Sequence, residues 1–101
     1  MAFFVYKLTP SRPTFAQDMT EAESQMIGTH VKYWSELANK GLAILFGPVL
    51  DPKGPWGLAV VEVHDQEEAK FLGLNDPAIK ANVGFQFEIY PMPTAILRKQ
   101  E

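Results

Sequence analysis

Residues 42–63 read LAILFGPVLDPKGPWGLAVVEV: two apolar runs, Leu42–Leu50 and Leu58–Val63, joined by the turn-rich segment Asp51–Gly57. The prolines and glycines of DPKGPWG forbid a helix there, and the flanking runs have the length and composition of buried strands. The stretch is therefore a β-hairpin in the middle of the chain. Gly47 and Pro48 interrupt its first strand. Proline has no N–H to give a ladder, so that end is expected at a bulge or on an edge.

Working outward from the hairpin, each side supplies one helix and one strand. Upstream, Thr20 with Glu23 forms a capping-box signature, and Met26, Ile27, Trp34, Leu37 and Ala38 recur at helical spacing. Gly41 stops that helix, as a left-handed glycine past the C-cap does. Ala2–Leu8 (AFFVYKL) reads as the first strand, and Thr9–Met19, with two prolines, as a loop. Downstream, Asp65 with Glu68 repeats the capping pattern ahead of a short helix carrying Ala69, Phe71, Leu72 and Leu74. Asn75-Asp76-Pro77 begins a further turn or short helix. Asn82–Pro91 (NVGFQFEIYP) is the last strand, with Val83, Phe85, Phe87 and Ile89 alternating on one face.

Strand, helix, strand, strand, helix, strand is the order of a ferredoxin-like βαββαβ unit. The expectation is an α+β fold: a four-stranded antiparallel sheet with its helices on one face. Phe4 and Tyr6 are expected on the other face. An uncovered apolar sheet face marks an interface, so a homodimer, or a higher homo-oligomer, through that face is expected. Residues 1–91 read as a single domain and 92–101 as a C-terminal tail.

Composition narrows the function classes. The chain has 101 residues, 47% hydrophobic and 21% charged, which suits one globular domain. Its net charge is −3 and it has no basic stripe, against a nucleic-acid partner. Cysteine is absent, which removes disulfides, thiolate nucleophiles and Cys-ligated zinc. Met1–Leu8 has no signal-peptide pattern, and no apolar run approaches the roughly 20 residues of a membrane span. A cytoplasmic protein without a membrane partner is expected. No Gly-rich phosphate loop and no GxSxG elbow occurs, and the two histidines lack metal-ligand spacing, so neither a cofactor nor a metal site is expected.

His30 is the most informative residue. Four residues separate it from Met26 and from Trp34, which puts it on the apolar stripe of the long helix. It is either a core histidine bonded to a backbone carbonyl or a functional base. Asp76 before Pro77 is sufficiently explained as a helix cap, yet a carboxylate facing His30 would make a base with an orienting partner. Arg12 is either a solvated arginine or a contact for an anionic substrate group. Trp34 reads as core, Trp56 as lining a pocket or a subunit contact, Tyr33 as reaching a pocket rim, and His64 as exposed and idle.

The run His30-Val-Lys-Tyr-Trp-Ser-Glu-Leu, then Gly41, Phe46-Gly47-Pro48, Gly57-Leu-Ala-Val-Val-Glu and Asn75-Asp76-Pro77, resembles the YCII family over roughly residues 2–91. Arg12-Pro13 and the Met19-Thr20 helix start agree with it. The resemblance implies a dimeric α+β barrel similar in fold to muconolactone isomerase. It implies a pocket where His30 and Asp76 form a catalytic pair, with Gly47 and Pro48 beside it. Aromatic-ring dehydrochlorination is among the activities of relatives. The leading reading is a cofactor-independent lyase or isomerase moving a proton on a small cyclic or aromatic substrate. The alternative is a non-catalytic small-ligand or protein-binding module of the same fold, in which His30 is structural.

Overall fold

The computed structural model describes residues 1–99. Its elements are β1 (Ala2–Thr9), α1 (Phe15–Asp18), α2 (Glu21–Asn39), β2 (Ala43–Val49), β3 (Trp56–Val63), α3 (Gln66–Leu74), α4 (Pro77–Lys80) and β4 (Gln86–Met92). The four strands form one antiparallel sheet in the order β2-β3-β1-β4. This is the expected α+β architecture, with β1 and β3 at its centre.

Local chemistry starts and stops the helices where the sequence signals them. Thr20 accepts from the Glu23 N–H at 3.1 Å while Glu23 accepts from the Thr20 N–H at 2.9 Å, so the box at the head of α2 is closed from both sides. Its other end is a Schellman turn: Gly41 has φ +81°, with Leu42 N–H donating to Leu37 O and Gly41 N–H to Ala38 O. At α3, Asp65 accepts from the Glu68 N–H, but Glu68 reaches back to the His64 N–H, one residue earlier than a capping box requires.

The strand register corrects the assignment of the two sheet faces. Phe4, Tyr6 and Leu8 lie under the helices with Ala59, Val61, Val63, Phe87 and Ile89, not on the uncovered face. The uncovered face carries instead the row Leu45, Val60, Val5, Tyr90, matched strand to strand. AFFVYKL is apolar at both parities, so alternation alone does not choose which parity faces in. Of the two places expected for Gly47-Pro48, a bulge or an edge, the structure has the edge: β2 is an edge strand, where proline is tolerated, and its irregularity falls between Ala43 and Leu45. One further position differs from expectation. Strand β4 starts at Gln86, not Asn82, because Asn82 (φ +55°) and Gly84 (φ +97°) both adopt the left-handed conformation that breaks extended chain.

One close approach locks α3 to the sheet. A Cβ on Gly73 would lie 2.5 Å from the Phe87 ring, so only glycine lets this helix sit so near β4. Gly73→Ala is expected to destabilise the domain by about 1–3 kcal/mol through overpacking. Urea denaturation, with the m-value unchanged, checks it.

Candidate active site

Asp76 is the only polar or charged residue among the fully buried side chains of the described residues, at 0% exposure. It sits where α3 ends and α4 begins, and its local role is the expected cap: Oδ1 accepts from the Ala78 N–H at 2.9 Å, with Pro77 at the first helical position. Three side chains from elsewhere converge on the same carboxylate. Tyr6 Oη from β1 donates to Oδ2 at 2.8 Å, Trp34 Nε1 from α2 donates to Oδ2 at 2.9 Å, and His30 Nδ1 lies 2.8 Å from Oδ1. His30 is thus partnered by a carboxylate, not by the backbone carbonyl of the structural alternative.

The electrostatics follow from this geometry. Burial alone would push the Asp76 carboxyl up, but the bonds from His30, Trp34 and the Ala78 N–H outweigh it and hold the group below its ordinary value. An ionised carboxylate can only accept, so it fixes the neutral imidazole with its proton on Nδ1 and a lone pair on Nε2. Burial and the same carboxylate push the Tyr6 phenol far above its usual range and the Tyr33 phenol up to about 12. Both stay protonated as donors.

A pH consequence comes with a definite sign. The folded-state pKa of Asp76 lies below its unfolded value, about 3.9 for an aspartate. Its contribution to stability is therefore complete above that unfolded value and is lost as pH falls through the folded one. Glu23, held down to about 2 by its bonds to Arg12 and Thr20, loses its share in the same acid window. The difference in stability between wild type and Asp76→Asn, followed by denaturant melts, is expected to shrink as the pH falls through the carboxylate range.

His30 stands in the wall of a cavity of about 230 Å³ between α2 and the sheet, its side chain 14% exposed. Tyr6 and Trp34 back it, with rings 4.9 Å apart. Phe15 and Phe85, meeting edge to face at 4.9 Å, also line the cavity. Gly47, Pro48 and Trp56 line it too. The wall is almost wholly apolar, and among the described residues no protein group bonds His30 Nε2.

Two expected site residues are employed elsewhere. Arg12 does not line the cavity: it donates to Asp18 Oδ1 at 2.8 Å and makes a two-pronged contact to Glu23 at 2.8 and 2.9 Å. It ties the α1 loop to the head of α2. Tyr33 also lies outside the cavity, donating to Leu72 O at 2.7 Å and so joining α2 to α3. Sequence reasoning missed Tyr6, Phe15, Phe46 and Phe85 as parts of this site. Phe15 hid in a proline-bearing loop, and the remaining three are cavity walls only once the strands are paired. His64 is exposed, as expected.

Among the described residues no three His, Asp or Glu side chains gather to hold a metal ion, and no helix is long and apolar enough to cross a membrane. A family model described as the YCII-related domain matches residues 4–93. No curated protein matches the chain. Among solved structures, the 5-chloro-2-hydroxyhydroquinone dehydrochlorinase (TftG) of Burkholderia phenoliruptrix AC1100, in complex with 2,5-dihydroxybenzoquinone, is similar with a TM-score of 0.58 and 23% identity. The match covers 87% of this chain and 91% of that one. At that identity the likeness speaks for the fold.

Proposed function

The chain belongs to the YCII-related domain family, and from that premise we propose that it is a cofactor-independent enzyme of the lyase or isomerase type. His30 takes a proton through Nε2 from a small cyclic or aromatic substrate held in the apolar cavity. Asp76 orients the ring, keeps the proton on Nδ1, and stabilises the imidazolium formed when Nε2 is protonated. The proton then returns to another ring atom, or the electron pair of the broken C–H bond expels a leaving group from the neighbouring carbon and the proton on Nε2 passes to solvent.

The single observation that carries this reading is the 2.8 Å pair of His30 Nδ1 and Asp76 Oδ1 in the wall of that cavity. A fully bonded carboxylate behind an imidazole whose other nitrogen is free has the arrangement of a general base. The similar dehydrochlorinase is a small-molecule enzyme with a hydroxylated six-membered ring in its complex, which supports a substrate of that size here. A cavity of about 150 Å³ is enough to take benzene, so one substituted ring fits. The assembly we propose is a cytoplasmic homodimer, or a higher homo-oligomer, closed through the uncovered sheet face, supported by the apolar row Leu45, Val60, Val5 and Tyr90.

The test is deuterium exchange from solvent into ring compounds carrying an acidified C–H, followed by mass spectrometry with wild type and His30→Gln. Exchange catalysed by wild type and lost in the variant is the expected result. Ligand binding without exchange in either protein would assign the chain to the binding-module alternative.

A further inference from the structure

The polar groups around the cavity are almost all committed. Tyr6 Oη and Trp34 Nε1 donate to Asp76 Oδ2, and Trp56 Nε1 donates to Asp51 Oδ2 at 3.1 Å. His30 Nδ1 faces Asp76 Oδ1. Among the described residues the polar side-chain atom left to a ligand is His30 Nε2, and in the tautomer Asp76 imposes it offers a lone pair.

The cations are outside. Among the described residues no lysine or arginine is part of the cavity wall. Arg12 is held by Asp18 and Glu23. Lys7 stands 4.9 Å over the Trp56 ring, in the neighbouring groove that it shares with Arg12 and Lys53. Trp56, with Pro10 and Pro55, forms part of both cavity and groove, so its indole stands between the apolar side and the side that carries Lys7 and Lys53 beside Asp51. Behind His30 lies the buried negative charge of Asp76. A carboxylate entering here would meet apolar walls, an imidazole lone pair and a like charge, with no uncommitted side-chain donor among the described lining residues to replace its water. A hydroxyl would meet the acceptor it needs.

Building on the reading of His30 as a base with its proton on Nδ1, we infer that the cavity selects its ring ligand by charge state: it binds an uncharged hydrogen-bond donor, a phenol or enol, and rejects the carboxylate of the same size. The specificity resides in His30 Nε2 as acceptor and in Trp56 as the wall that keeps Lys7 and Lys53 out of reach. An anionic group therefore gains nothing from the lysines of the groove while its ring occupies the cavity.

Three one-ring probes separate these contributions in a calorimetric or NMR titration at mildly alkaline pH. 4-Methylphenol carries the donor, 4-methylanisole keeps the shape without it, and 4-methylbenzoate carries the charge. The phenol is expected to saturate the cavity, and the benzoate to bind at least about tenfold more weakly, a ratio equal to about 1.4 kcal/mol. The anisole is expected between them. His30→Ala is expected to reduce the phenol to the level of the anisole, with its NMR spectrum showing an intact fold. Trp56→Ala is expected to raise the affinity of the benzoate by opening that wall. Benzoate binding as tightly as the phenol, a phenol affinity unmoved by His30→Ala, or no saturation by any probe would each overturn the inference. Proton exchange that fails while the phenol preference holds would sink the assignment of His30 as base and leave the charge selectivity standing.

Discussion

Asp76→Ala is expected to lower the stability of the domain by about 3–5 kcal/mol, the cost of removing one member of a buried, hydrogen-bonded charge cluster. The carboxylate is fully buried and is the shared acceptor for Tyr6, Trp34, His30 and the Ala78 N–H. Alanine leaves all four donors facing a small void, and buried donors without partners are expensive. Small domains have only about 5–15 kcal/mol of stability in total, so the variant is expected to melt far below wild type and to accumulate poorly. Asp76→Asn is expected to be milder. The amide oxygen still accepts, while its NH₂ group confronts donors on one side. Denaturant melts of both variants measure the difference, and a loss below about 1 kcal/mol for alanine would show that the network does not hold the helices to the sheet.

His30→Gln separates chemistry from stability in the opposite sense. His30 is at the cavity wall and not in the sealed core, and Asp76 keeps three of its four donors when the imidazole is gone. The fold is expected to survive, with a change in melting temperature small beside that of Asp76→Ala. Activity is expected to fall by about 10²–10⁴-fold, the range that a positioned general base contributes. The check is the rate of solvent exchange into a ring substrate, measured beside the melting curve of the same preparation. A rate within a few-fold of wild type would assign the proton transfer to another group. A collapse of both rate and melting temperature would mean that His30 serves the core.

These two residues show how unevenly the site was written in the sequence. The caps were local and legible: Thr20 with Glu23, Gly41 after the long helix, and Asp76 before Pro77 each stand where the structure uses them. The order of elements was legible too, because the hairpin at residues 42–63 and the two capped helices leave one compact antiparallel sheet. The joining of His30 to Asp76 was not local. The two are 46 positions apart, and spacing gave no hint of contact; the expectation of a pair came from the family resemblance. Tyr6, 70 positions from Asp76, was placed on the wrong sheet face because both parities of β1 are apolar. Arg12 showed the reverse failure. A lone arginine in a loop invited a substrate contact, yet the acids that hold it, Asp18 and Glu23, were within eleven positions of it throughout.

The most direct test of the central claim, a His30 imidazole oriented by a buried carboxylate with its other nitrogen open to the cavity, is the tautomer of that ring. Long-range ¹H–¹⁵N correlation spectra of the neutral protein distinguish a protonated Nδ1 from a protonated Nε2 in each histidine, and exposed His64 serves as the control within the same sample. The predicted result is a single His30 tautomer with the proton on Nδ1 and an unprotonated Nε2, lost or mixed in Asp76→Asn, while His64 is unchanged by that substitution. A His30 protonated on Nε2 in the wild type, or a tautomer indifferent to Asp76, would contradict it.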